Sequence, residues 1–311
     1  MPHEIERLLR AAGQGVWLID PQKAEAIVAA VALRVQMGPR SEPAFPDQKP
    51  LAMSSDVSGN GSKVVRVLRL MGTILPRGNM MGDISGPGAA NLVAFQRAFQ
   101  NAADDPNTQA IVIEVDSPGG QVDLVPETAA MIRNARRAER PIVAVANTMA
   151  CSAAYWIASA ADELVVSPSG CVGSIGVYML HRDVSQALQA DGIAPTFIYE
   201  GPRKVEGNPF EPLTATAQMA LQAEVRATYQ SFTSDVAKAR GVPASVVRAD
   251  PEKADKHMGG GRSYTGAQAV KLGMADRVAT LQDTINRLSR GGRAGAGRRK
   301  TALARRKLDL I

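Results

Sequence analysis

Residues 141–177 constrain the fold more than any other part of the chain. They open on an apolar run, Pro141-Ile-Val-Ala-Val-Ala-Asn147, and pass through Thr148-Met-Ala-Cys-Ser152 into Ala153-Ala-Tyr-Trp-Ile-Ala-Ser-Ala-Ala161. A second apolar run, Glu163-Leu-Val-Val-Ser167, leads to the glycine-rich Cys171-Val-Gly-Ser-Ile-Gly-Val177. The pattern predicts strand, sharp turn, buried helix, strand. Ser152 stands where the turn becomes the helix. A helix start has unpaired N–H groups and positive potential. A serine there is either a cap or a nucleophile.

Short apolar runs alternate with helical patterns along the rest of the chain. Strands are expected at 64–75, 111–115, 141–147, 195–199 and 274–278, and helices at 89–103, 123–137, 184–190, 214–240 and 281–288. A loop is expected at 76–88, a tight turn at 116–120, and a short strand and helix at 263–265 and 266–272. Such alternation predicts an α/β fold with a mostly parallel sheet under helical cover. Aromatic residues are only 4% of the chain, so the core must be built from Ala, Val, Ile and Leu. Four segments follow: an N-terminal helical appendage (1–38), a Pro/Ser/Gly-rich linker (39–62), the main domain (63–288) and a basic tail (289–311).

The net charge of +6 belongs to that tail. Residues 287–311 hold nine Lys/Arg and one acid, a net of +8, which leaves −2 for the rest. The tail is either a solvated, disordered end or an electrostatic tether for nucleic acid, the only route to nucleic acid in the chain. Two cysteines, Cys151 and Cys171, give neither a disulfide framework nor a metal signature. No apolar run approaches the ~20 residues of a membrane span, and no signal-peptide core is present. A cytoplasmic protein is expected.

A phosphate loop, an HExxH zinc helix, GxSxG flanks around Ser152 and a serine followed by lysine three residues on are all missing from the sequence. No cofactor or metal is therefore expected. Of three histidines, His181 is the one placed to pair with Ser152 or Cys151, against a plain structural role. Lys204, in a Pro/Gly-bounded loop, is either a surface lysine or a base. As a base it must be uncharged near neutral pH, which requires apolar neighbours such as Pro202, Val205 and Phe210, with Glu206 pointing away. Asp116-Ser-Pro-Gly-Gly120 offers bare N–H groups at Gly119 and Gly120 for an oxyanion, or is simply a strand-to-helix turn. Ser174, in Gly173-Ser-Ile-Gly176, has a hydroxyl suited to holding the lysine amine.

The ordered set of pieces resembles the signal peptide peptidase A (protease IV) family of Ser/Lys serine peptidases. The resemblance runs over 64–278. It rests on Asp116-Ser-Pro-Gly-Gly120, Met149-Ala-Cys-Ser-Ala-Ala-Tyr155, Gly173-Ser-Ile-Gly-Val177, the Lys204 loop and Gly261-Arg-Ser-Tyr-Thr-Gly-Ala-Gln-Ala269. It implies Ser152 as nucleophile, Lys204 as general base, Gly119 in the oxyanion hole and Ser174 positioning Lys204. It also implies the Clp protease/crotonase-like spiral of ββα units, assembled as a homo-oligomeric ring in which neighbours complete each other's sites.

Asn147-Thr-Met-Ala-Cys-Ser152 and Lys204-Val-Glu-Gly-Asn-Pro-Phe210 look like the phage-head branch, the capsid assembly proteases. The expectation is an endopeptidase acting through an acyl-enzyme on capsid, scaffold or portal protein, in a prohead or the bacterial host cytoplasm. A cytoplasmic peptidase for signal peptides or small proteins is the second reading. A crotonase-like acyl-CoA enzyme or an inactive structural ring is the third.

Overall fold

The computed structural model describes residues 17–19, 53–59, 61–77 and 90–292. The expected helical appendage, apart from three residues, and the basic tail beyond 292 lie outside the described residues, as do most of the linker and of the 76–88 loop.

The strands are β1 (Trp17–Ile19), β2 (Ser54–Ser58), β3 (Val64–Met71), β4 (Ile74–Leu75) and β5 (Ala90–Asn91), then β6 (Thr108–Ser117), β7 (Gly119–Gln121) and β8 (Ile142–Cys151). After them come β9 (Glu163–Val166), β10 (Cys171–Gly173), β11 (Ser263–Thr265) and β12 (Arg277–Val278). The helices are α1 (Leu92–Asp104), α2 (Val125–Asn134), α3 (Ala153–Ser159) and α4 (Ser185–Ala190), then α5 (Ala215–Arg240), α6 (Ala244–Val247), α7 (Gly266–Lys271) and α8 (Leu281–Ser289). Val177–Gln230 belongs to one compact unit, and Leu18–Gly176 with Ser231–Ile311 to another.

In the larger unit, β6 and β8 are near-continuous apolar runs buried on both faces, as central parallel strands must be. The main sheet runs β11-β10-β8-β6-β3-β2. Pairings β3–β6, β6–β8 and β8–β10 are parallel, while β2 and β11 lie antiparallel at the edges. The side of β8 away from β6 is shared. Its first half, residues 143–146, pairs with β9, and its end, residues 149–151, pairs with β10. The sheet forks there, and the tip of β8 is held by a different neighbour from its base.

Side chains alternate across a strand. Val65, Val67, Ala110, Val112, Val143, Val145 and Val165 share one cluster with Ile285 and Leu288 of α8. Helix α1 packs against β3 and β6, burying Leu92, Phe95, Phe99 and Ala102 at helical spacing. The Asn91 side chain caps it, accepting from the Ala94 N–H at 3.0 Å. Glu163 is fully buried and ion-pairs with Arg277 and Arg287, each at 2.7 Å, tying β9 to β12 and α8.

Four expectations change. Trp17–Ile19, inside the expected helical appendage, is a strand, because it pairs with β7. Part of the expected linker, Ser54–Ser58, is an edge strand, because its backbone pairs with β3 whatever its polar side chains do. The 116–120 turn is instead a strand–proline–strand step: β6 runs through Ser117, and Gly119 already belongs to β7, which pairs with β4. Residues 195–199 form no strand. Among the described residues no strand pairs with them, and Ile198 is 99% exposed.

Candidate active site

Strand β8 delivers Ser152 to a position with φ 56° and ψ −118°. A non-glycine residue in that conformation is strained by about 1–3 kcal/mol and persists only when its surroundings hold it there. Ser152 donates its N–H to the Gly173 carbonyl at 2.8 Å and accepts at its own carbonyl from Trp156 N–H at 3.0 Å. The side chain is 1% exposed and makes no cap hydrogen bond to α3. The cap reading of Ser152 therefore falls. A strained serine between strand and helix has the local geometry of a nucleophile elbow.

Helix α3 is buried at all seven positions. Its small Ala153, Ala154 and Ala158 allow close packing against α2 and β7. Trp156 stacks on Phe232 with ring centroids 4.7 Å apart, and its indole N–H donates to Asp235 at 3.1 Å. The Tyr155 hydroxyl donates to the Met274 carbonyl at 2.9 Å, and burial pushes the phenol's pKa above its usual value. Ser152 thus sits on a platform fixed by two aromatic anchors.

Next to it, β10 ends in Gly173 and Ser174. Gly173 has φ 126°, and a Cβ there would lie 2.7 Å from the Arg262 carbonyl, so only glycine fits. Ser174 is 4% exposed, has φ 53°, and donates its N–H to the Arg262 carbonyl at 2.9 Å. The Gly173 carbonyl that accepts from Ser152 immediately precedes Ser174. Among the described residues, Leu124 is the only other non-glycine residue with positive φ.

The 116–120 segment lies alongside, with Ser117 facing Ala150 in the β6–β8 register. The Thr148 hydroxyl donates to the Asp116 carboxylate, and the Gly72 N–H to the Asp116 carbonyl. A Cβ on Gly120 would collide with the Ile74 carbonyl of β4, so that glycine is required by packing. Gly119 has φ 104° and donates its N–H to the buried Ser117 Oγ at 3.2 Å. Sequence reading missed this role for Ser117. A serine hydroxyl accepting from the amide two residues on is a recognised local motif, and the Ser-Pro-Gly run was its signal.

Ser152, Gly119, Gly120 and Ser174 all belong to the larger unit, whereas Lys204 lies in Val177–Gln230. Lys204 is exposed, within a run of turns, and its N–H donates to the Gly201 carbonyl at 3.0 Å. Of its expected apolar neighbours, Val205 and Phe210 are half-buried, Pro202 is exposed, and Phe210 packs on Phe197 at 6.0 Å. Glu206 is engaged by Arg203 at 2.6 Å. His181 bonds through Nε2 to the Asn208 carbonyl at 3.0 Å. The Cys151 and Cys171 sulfurs approach to 4.0 Å without forming a disulfide. Among the described residues, no cluster of three or more His, Cys, Asp or Glu is placed to hold a metal, and no helix is long and apolar enough to cross a membrane.

The sequence pattern of Peptidase family S49 matches residues 134–294, just over half of the chain, including the whole of the Ser152 elbow. The chain belongs to peptidase family S49. Its relatives include Capsid assembly protease C of Escherichia phage lambda, 34% identical over 221 residues, which are 71% of this chain and 48% of that protein. Head-tail preconnector protein GP5 of Enterobacteria phage P21 is 29% identical over 92% of this chain and 57% of its own length. Protease 4 of Salmonella typhi is 28% identical over 71% of this chain and 33% of its own.

This S49 chain thus spans about half the length of the phage relatives it matches. A solved structure, a point mutant of the 1510-N membrane-bound stomatin-specific protease, aligns with a TM-score of 0.42 and 15% identity over 73% of this chain and 85% of that one. The mixed α/β architecture with its parallel sheet is consistent with the Clp protease-like fold expected from the sequence.

Proposed function

We propose that this chain is a serine endopeptidase of phage or prophage head maturation, acting on capsid, scaffold or portal protein in a prohead or host cytoplasm. The observation that carries the reading is Ser152, buried and strained, with a hydroxyl not used to cap the helix it precedes. Ser152 Oγ attacks the scissile carbonyl while Lys204 takes its proton. N–H groups of Gly119 and Gly120 hold the oxyanion, and Ser174 orients the lysine amine. Lys204 then passes the proton to the leaving amine, and water resolves the acyl-enzyme. The match to the two phage proteins favours the head role over the clearance of signal peptides or small proteins.

A lysine base must be kept from water, yet Lys204 is exposed on the single chain. Of residues 177–230 only Ala217 is buried. A second copy covering this unit supplies what it lacks, so the active form is a homo-oligomer in which Lys204 serves the Ser152 of a neighbour. Domain limits at 63 and 288, with the flanking segments as appendages, complete the proposal.

A fluorophosphonate probe tests the chemistry. Wild-type protein is expected to label, and Ser152→Ala and Lys204→Ala to stay dark. Equal labelling of Ser152→Ala would reject the nucleophile. A crotonase-like enzyme would need neither residue.

A further inference from the structure

We infer that Ser117 is a positioning residue that makes the oxyanion hole selective for developing charge; this rests on the peptidase reading above. The Gly119 amide is not open in this structure. It donates to Ser117 Oγ at 3.2 Å, and Ser117 is 0% exposed. A buried amide without a partner is costly, and the hydroxyl removes that cost while no substrate is bound. Gly119 at φ 104° holds its N–H in that arrangement, and Pro118 has no N–H to compete for the hydroxyl. Ser117 lies opposite Ala150, two residues before Ser152, so this exchange happens beside the reacting alcohol.

A neutral substrate carbonyl that takes the Gly119 N–H only swaps one neutral acceptor for another. An oxyanion forms a charge-assisted hydrogen bond, roughly twice as strong. The N–H therefore moves from Ser117 to the substrate as the tetrahedral intermediate forms, and its stabilisation appears in the transition state rather than in the substrate complex. Removing the hydroxyl would add the same stabilisation to the substrate complex and to the transition state, because the competing acceptor is lost from both, and would leave the charge-assisted difference between them unchanged.

Saturation kinetics with a fluorophosphonate separate these cases, because its P=O oxygen takes the oxyanion position. In Ser117→Ala the probe's KI falls about fivefold or more, since a partnerless buried amide now gains an acceptor on binding. The maximal inactivation rate does not rise. Ser117→Cys, which keeps a similar volume but a weaker acceptor, gives an intermediate KI. It also carries the test if Ser117→Ala loses its cooperative thermal transition. An unchanged KI in both variants, or a fall in the maximal rate with KI held, means that the hydroxyl only braces the backbone, and the inference falls. A wild-type chain that does not label at Ser152 overturns the peptidase reading and this inference with it. Labelling of the wild type with no KI response overturns this inference alone.

Discussion

The two units of the chain treat apolar side chains in opposite ways. Leu18–Gly176 with Ser231–Ile311 buries them: β6, β8 and α3 are enclosed almost residue for residue, and Trp156, Tyr155, Phe95 and Phe99 are fully covered. Val177–Gln230 displays them. Leu180, Ile193, Ile198, Tyr199 and Met219 are all at least half exposed, α4 buries no residue, and Ala217 alone is buried. A segment of that size with no core cannot account for its own stability. The contrast assigns different tasks. Groups whose angles must not drift, Ser152, Ser174 and the 116–120 segment, lie in the self-sufficient unit. The base proposed for them lies in the unit that buries almost nothing.

The sharpest way to break this contrast is complementation. Lys204→Ala is expected to cost about 10²–10⁴-fold in labelling rate, the ordinary worth of a general base. Mixing it with Ser152→Ala, itself dark, should restore labelling if the lysine of one copy serves the serine of another. Failure to recover after co-refolding would return both groups to a single chain.

A smaller effect tests the self-sufficient unit. Trp156→Ala removes a ring stacked on Phe232 and an indole bond to Asp235. Chemical denaturation should report a loss of about 3–5 kcal/mol, as for other buried aromatics. A loss below about 1 kcal/mol would show that the platform under Ser152 is not held as described. The smallest effect is expected in the other unit. Ile198→Asp should leave the isolated chain's stability within about 0.5 kcal/mol, while sedimentation shifts from an assembly towards the single chain. A wild type that already sediments as a single chain would end the comparison.

What the sequence revealed divides along a physical line. The elbow at Ser152 was legible because its signals are local: an apolar run, a turn and a small-residue helix, all close together in the chain. The helix expected at 214–240 was legible for the same reason, and the hydroxyl of its first residue, Thr214, accepts from the Ala217 N–H at 3.2 Å. Misreadings arose where structure depends on a distant partner. Residues 195–199 look like a strand, but a strand needs a neighbour, and the described residues provide none for them. Ser54–Ser58 looks like a linker, and the backbone of β3 makes it a strand. Gly119 and Gly120 read as the end of a turn until β4, far upstream, pairs with β7 at Gly120. Lys204 was found by its loop and by resemblance, and of the two readings its loop left open the single chain shows the surface lysine.

The forked neighbourhood of β8 has a consequence for how the protein comes apart. With β6 along one side and β9 then β10 along the other, both ends of the strand are paired on both flanks, and only Asn147 and Thr148 between them lie outside all three registers. The Ser152 amide, locked to Gly173, is therefore released to deuterium only when the sheet as a whole opens. Heated or partly unfolded, the molecule should surrender its edges long before it lets go of the reactive alcohol's backbone.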